Sequence, residues 1–520
     1  MLSEKIAKSV YYLGFLIIFL ILALFISRQY LYLDDVSYIF PAITGQYQSH
    51  FSGYIRDNGF NRPFALFYYY LILGVFTAYP SLAHLIPLIA FIFGGYLLFK
   101  ILIIQGLSKN NSFLTSILIL CLPFAAEIYS WLSASIGIWA LLIFYLEILL
   151  LEKFSGYKIN LILIFLLQSI VSLLYETTIF MAIPLAYASI VNTSSANFNY
   201  RKFFKNLIIF IFPAIIYLSI KVSVPHAIPG EFEVSKFSEV FRYFGNYISQ
   251  FYELFITKGL FLFWFENFYR GIRYVFYSVP AALLMFLLIL ILFRNIRNLK
   301  TEASEIITDE KLKFWFLALF SSSLPLIWKK YYLPFRTLYL PVVIFIIILA
   351  FSISNYVSRQ RNLGALIIKD YSRIIKSVVI IIALILLVIQ IAMIKNYQLQ
   401  YSHDLKIIEE LRIITEKLGY NSRNRTNLVL RDMPKNTLTS YNYGDYLFSM
   451  FYNDWTAIGF VDLNSGTVRN IAVEITGKNV YSSKIDKESF MKLRPLTILK
   501  FNGIENCYIK RCFLMEKNEK

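Results

Sequence analysis

Charge is what this chain of 520 residues has least of: Asp, Glu, Lys and Arg together make up 16% of it, against about 25% in a typical soluble domain. With 58% hydrophobic and 18% aromatic residues and a mean hydropathy of +0.59, that shortage excludes a water-soluble enzyme and a disordered scaffold. Cysteine and histidine are scarce too. Three Cys and four His rule out a disulfide-framed module and leave few ligands for a metal centre. Cys121 falls in an apolar run, while Cys507 and Cys512 in the polar tail are either spectator thiols or a local pair. The motifs of soluble enzymes are missing as well: there is no Walker A loop, dinucleotide fingerprint, HExxH or GxSxG. No set of acids and bases is spaced along one helix as a proton relay requires.

What the chain has in abundance is apolar runs bounded by Lys, Arg or Asn. They cover residues 9–27, 82–104, 111–126, 136–151, 161–174, 177–191, 207–221, 275–293, 314–328, 338–356 and 377–394, and lipid is the solvent such runs require. The first lies between Lys8 and Arg28 with no small-residue cleavage site after it, so it reads as a retained anchor. One more segment, PFALFYYYLILGVFTAY from Pro63, either crosses or lies at the interface, and this choice decides the orientation of all that follows.

The formal net charge of +18 makes the choice. If that segment does not cross and the amino terminus is cytoplasmic, Lys109, Lys153, Lys158, Arg201, Lys202, Lys205, Arg294, Arg297, Lys311, Lys313, Arg359 and Arg373 all face inward, as the positive-inside bias demands. The cations therefore imply no nucleic acid. The expected fold is an all-α polytopic membrane protein of about eleven transmembrane helices over residues 1–395, with outer juxtamembrane helices. Residues 396–520 are expected to form a small extracytoplasmic α+β domain, an amphipathic helix from His403 followed by strands such as NLVLRD and TILKF. An interfacial helix is expected in the long outer loop, around FSEVFRYFGNYISQFYELF.

On the outer side this topology collects several charged groups. Asp34 and Asp35 follow the first span and read either as a general base on an acceptor hydroxyl or as a solvated helix cap. Arg62, just before Pro63, either binds a phosphate or anchors a helix among lipid head groups. The same alternatives hold for Arg336, whose guanidinium suits bidentate phosphate binding. Glu127 follows Pro123 in LPFAAEIYSW, and Glu176 sits between two apolar runs in LLYETTIF, near bilayer depth, where acids persist for a partner or a role. Glu147, with Lys153 nearby, is expected to reach for the cytoplasmic interface.

The order of these elements resembles the GT-C superfamily of integral membrane glycosyltransferases. The acid pair after the first span, Asn61, Arg62 and Pro63 opening an apolar helix, and the run GVFTAYPSLAHL with Gly74, Pro80 and His84 are similar to the amino-terminal half of the protein O-mannosyltransferase and membrane mannosyltransferase families. LPFAAEIYSWLSASIGIWALL, LLYETTIFMAIP and RTLYLP continue the resemblance in the same order, so that it covers about residues 9 to 356. Bacterial O-antigen glucosyltransferases share this plan. Tyr175 stands where relatives often carry Lys.

The resemblance implies transfer of a sugar, with inversion, from a polyprenyl-phosphate donor to a hydroxyl of a glycan, glycolipid or protein acceptor at the plasma membrane. It implies that Asp34 or Asp35 is the base and that Arg336, with Arg62, holds the donor phosphate. Glu127, with Glu176 and His84, is implied to contact the acceptor or a divalent metal; no other cofactor is expected. The alternative from another class is a transporter or flippase of lipid-linked glycans, in which the cations guide phosphates and no base is needed.

Overall fold

The computed structural model describes residues 2–27, 63–76, 80–153, 158–191, 199–223, 258–297, 308–327, 335–359, 365–420, 424–433, 468–475, 496–501 and 513–515, with positions 245 and 249. The helices, in chain order, are α1 (Leu2–Ile26), α2 (Pro63–Val75), α3 (Pro80–Ala83), α4 (Leu85–Ile104), α5 (Lys109–Leu120), α6 (Ala125–Ser130) and, after the 3-10 turn η1 (Leu132–Ser135), α7 (Ile136–Lys153). There follow α8 (Lys158–Leu174), the 3-10 segment η2 (Glu176–Met181), α9 (Ala182–Val191), α10 (Tyr200–Ser223), α11 (Lys258–Phe276), α12 (Val279–Arg297), α13 (Asp309–Ile327), α14 (Phe335–Arg359) and α15 (Ala365–Lys417).

Among the described residues four helices are long and apolar enough to cross a membrane, or five if α11 and α12 count as one broken span. The chain is thus a helical protein with membrane-spanning character. Its outer surface agrees: Leu16, Ile89, Ile162, Phe212, Phe286 and Phe320 are exposed, which lipid tolerates and water does not. Several expected runs form shorter helices. Residues 111–126 divide into α5 and α6, because Pro123 brings no N–H to continue the helix, and residues 177–191 divide into η2 and α9.

Hydrogen bonds between helix ends show which ends lie together. At one end of the bundle Tyr11 donates to Asn110 at 2.7 Å, Gln105 donates to Glu152 at 2.9 Å, and the Trp315 indole donates to Gln105 at 2.9 Å. The Asn206 amide donates to Ser189 at 2.8 Å, and the Tyr187 hydroxyl to Glu310. The starts of α1, α5, α10 and α13 and the ends of α4, α7 and α9 therefore share this end, and with them Lys109, Lys153, Arg201, Lys202, Lys205, Lys311 and Lys313. The turn between α4 and α5 is made locally. Gly106, at φ 98°, allows the backbone N–H groups of Gly106 and Leu107 to reach the Ile103 and Leu102 carbonyls, and the Ser108 hydroxyl then caps α5.

At the opposite end, the Gln398 side chain of α15 donates to the Phe25 carbonyl at the end of α1, and His84 opens α4 beside α6. Since α1 ends where α4 begins, the chain between them starts and finishes on one side. The 13 residues of α2 span about 20 Å, short of a ~30 Å hydrocarbon core. This helix starts at Pro63 itself, where the missing N–H is no loss.

The amphipathic α11 is bent by 107° from α12 and packs along α15. Gly271 makes this contact close: a Cβ there would collide with the Val388 carbonyl oxygen. The interfacial helix expected around residues 237–255 lies outside the described residues. Residues 403–417, expected as an amphipathic helix, are helical and form the last part of α15, whose 53 residues run unbroken through position 395. The strands β1 (Thr426–Met433), β2 (Val468–Ile475), β3 (Leu496–Phe501) and β4 (Phe513–Met515) form one sheet in the order β2-β1-β3-β4, and both expected strand sequences lie in it. The β1 pairings are parallel and the β3–β4 pairing antiparallel. Leu428, Leu430, Leu499 and Phe513 pack with Ile407, Ile408 and Leu411 of α15, and the Phe513 N–H donates to Glu410 at 3.2 Å.

Candidate functional site

The broken helix α5–α6 defines the site. Backbone that leaves the helix at membrane depth must be covered by protein, because lipid offers no hydrogen bonds. All six residues of α6 are buried, Glu127 among them at 1% exposure. The carbonyls of Leu120 and Leu122, at and just past the end of α5, accept from the Gln390 side-chain amide at 3.2 and 3.1 Å, and the Ala125 N–H also donates to that of Leu122. A buried carbonyl without a donor costs about 1–3 kcal/mol, so this side chain from α15 satisfies the Leu120 carbonyl where Pro123 ends α5.

His84, fully buried at the start of α4, lies with Nδ1 3.1 Å from the Tyr129 carbonyl. A carbonyl only accepts, so Nδ1 carries the hydrogen. The Tyr129 ring packs on Phe91 with centroids 5.3 Å apart, its hydroxyl lies beside Gln390, and Phe91 packs in turn on Tyr339 at 5.9 Å. Tyr339 is one helical turn after Arg336, so the first turn of α14 stands next to α6. The side chain of Arg336 is outside the described set.

A second break lies at the same end. Glu176 opens η2 where α8 stops, and the preceding Tyr175 packs by Gly137 at the start of α7, 3.8 Å from where a Cβ would sit. The Glu176 side chain is likewise undescribed. Over this region lies α2, whose Tyr68 hydroxyl is 2.8 Å from that of Ser135 in η1 and whose ring packs on Trp139. The helix that follows Arg62 is thus placed against the turn that follows Glu127. Asp34, Asp35 and Arg62 lie outside the described residues, as do Cys507 and Cys512; Cys121 is a buried free thiol.

Below the break, a narrow crevice between α4, α5, α7 and α14 is lined by Gly94, Gly95, Leu120, Leu142, Tyr145 and Tyr339. Its walls are apolar apart from two phenols and suit no charged ligand. Among the described residues no three His, Cys, Asp or Glu side chains converge as a metal site. Residues that sequence reasoning passes over are Tyr129, Tyr339 and Gln390. Of these only Gln390 carries a readable signal, a lone amide inside the apolar run VVIIIALILLVIQIAMI. No protein-family model, no curated protein and no solved structure matches this chain.

Proposed function

We propose that this protein is a multi-pass plasma-membrane glycosyltransferase of the GT-C type, with eleven spans, the amino terminus in the cytoplasm and an extracytoplasmic carboxy-terminal α+β domain. It moves a sugar from a polyprenyl-phosphate donor to a hydroxyl of a glycan, glycolipid or protein. One observation carries the reading: the end of α1, the acid-bearing breaks at Glu127 and Glu176, His84 and the Arg336 turn of α14 belong to one end of the bundle, while the surface cations Lys109, Lys153, Arg201, Lys202 and Lys311 gather at the other. Under the positive-inside bias the first end is outside.

In the proposed reaction Asp34, or Asp35, takes the proton of the acceptor hydroxyl as its oxygen attacks the anomeric carbon from the face opposite the phosphate. The bond from that carbon to the phosphate oxygen breaks, its electron pair leaves with the polyprenyl phosphate, and the configuration inverts. Arg336 and Arg62 stabilise the charge that grows on the leaving phosphate. Glu127, held in a buried turn whose Tyr129 carbonyl His84 binds, contacts the acceptor or a divalent metal together with Glu176 and His84.

The test is Asp34→Asn and Asp35→Asn in purified protein, with transfer from a lipid-linked sugar measured. Loss of the base lowers transfer by about 10²–10⁴-fold; full activity in both variants overturns the assignment. Interrupted helices also build the substrate sites of secondary transporters, which makes a carrier of lipid-linked glycans the second reading. Donor binding retained with transfer lost argues against the carrier.

A further inference from the structure

Glu147 does not reach for the cytoplasmic interface as its position near Lys153 suggests. It is fully buried six residues before the end of α7, and it turns toward α8, where the Gln168 amide donates to both of its carboxyl oxygens at 2.9 Å. Gln168 is itself 2% exposed. No cation answers this carboxyl: among the described residues no ion pair involves Glu147. Of the titratable groups on α7 and the elements packed against it, Tyr145 and Tyr339 are phenols that carry no charge to answer a carboxylate, Glu127 is itself an acid, and Lys100, Tyr187 and Glu152 have partners of their own. Lys100 of α4 lies over the Tyr96 and Phe99 rings, Tyr187 of α9 donates to Glu310, and on α7 itself Glu152 accepts from Gln105. On α8, the hydroxyls of Ser169 and Ser172 donate to backbone carbonyls of their own helix.

We propose that Glu147 is a proton-binding site: it holds a proton at neutral pH and forms with Gln168 a neutral acid–amide couple that ties α7 to α8. A carboxylate taken out of water needs a cation or several donors to replace its hydration, and one amide N–H group does not suffice. Uptake of a proton removes the charge and supplies the missing complement. The amide nitrogen faces both carboxyl oxygens; with the proton in place, a turn of the Gln168 amide lets the acid O–H donate to its carbonyl oxygen while the Gln168 N–H donates to the acid carbonyl, so both groups are satisfied without net charge. The couple also has a position that matters. Its helix α7 follows directly from the turn that holds Glu127, and α8 runs directly into Tyr175 and Glu176, so the proton fixes the spacing of the two breaks.

The experiment is infrared spectroscopy of the purified full-length protein at pH 7, wild type against Glu147→Gln, Glu152→Gln and Gln168→Leu. The expected result is loss of a protonated-carboxyl C=O band in E147Q, its retention in E152Q, and a shift of the band in Q168L, where the amide partner is gone. E147Q replaces a neutral acid by a group of the same shape, so its thermal midpoint stays near that of the wild type while Glu147→Ala lowers it. A folded E147Q with the wild-type band intact overturns the proposal, and so does an E147Q that fails to fold. An unshifted band in Q168L overturns the couple.

Discussion

The imidazole of His84 donates from Nδ1 to the backbone carbonyl of Tyr129, 3.1 Å away and 45 residues later in the chain. The bond joins the start of α4 to the short buried helix that carries Glu127. Removing the donor in His84→Ala leaves a buried acceptor short of a partner, at a cost of about 1–3 kcal/mol. His84→Asn keeps an N–H in reach and recovers part of that loss. Thermal melting in detergent checks the order wild type, H84N, H84A; equal midpoints for the two variants would show that the bond contributes nothing.

Gly271 sets how near α11 comes to α15. A methyl group at Gly271 meets the Val388 carbonyl oxygen, a backbone atom that has no rotamer to yield with. Gly271→Ala therefore pushes the helices apart and strains the bonds beside the contact, those of Asn267 and Arg270 to Asn396. Overpacking of this kind costs about 1–3 kcal/mol. Gly245→Ala, where a Cβ meets nothing within 4 Å, is the control and leaves the melting curve in place.

Acid should loosen the junction of α9 and α13. The Tyr187 hydroxyl and the Lys313 ammonium hold the Glu310 carboxyl below its ordinary value of 4.5. A group whose folded value is lowered stabilises the fold above the unfolded value and loses that contribution as the pH falls through the folded one. The difference in midpoint between wild type and Tyr187→Phe is then constant at neutral pH and shrinks below pH 4.5. Glu310 is 42% exposed, so solvent screens the pair and the difference is small. A difference that grows on acidification contradicts the linkage.

Orientation has a direct readout. Cysteines introduced at Ser155 and Ser235 in intact cells label oppositely with an impermeant thiol reagent, Ser235 from outside. The reverse pattern places the Glu127 break in the cytoplasm and removes the proposed donor from its reach.

Helices were legible where apolar residues ran long, as in α1, α4 and α14, and β1 and β3 were legible from alternation. The two-ended arrangement was legible from cations alone: Lys109, Lys153 and Lys311 belong to different loops, yet they collect at one end because lipid excludes all of them alike. The breaks were harder to see. Pro123 marks where the run 111–126 can stop, but the amide that satisfies the Leu120 carbonyl there, Gln390, is 270 residues away. Glu147 misled for the same reason. Lys153 is near it along the chain, but Gln168 is near it in space, and only packing of α8 on α7 brings that amide within reach. The acid pair Asp34 and Asp35 rests on sequence alone.

The helix α15 has 53 residues, about 80 Å of uninterrupted rise, and its apolar half and its sheet-bearing half share every turn between them. The same unbroken helix therefore meets the sheet at Glu410 and, further back along its length, supplies Gln398 to the Phe25 carbonyl and Gln390 to that of Leu120, so one element joins the sheet to both helix ends of the site.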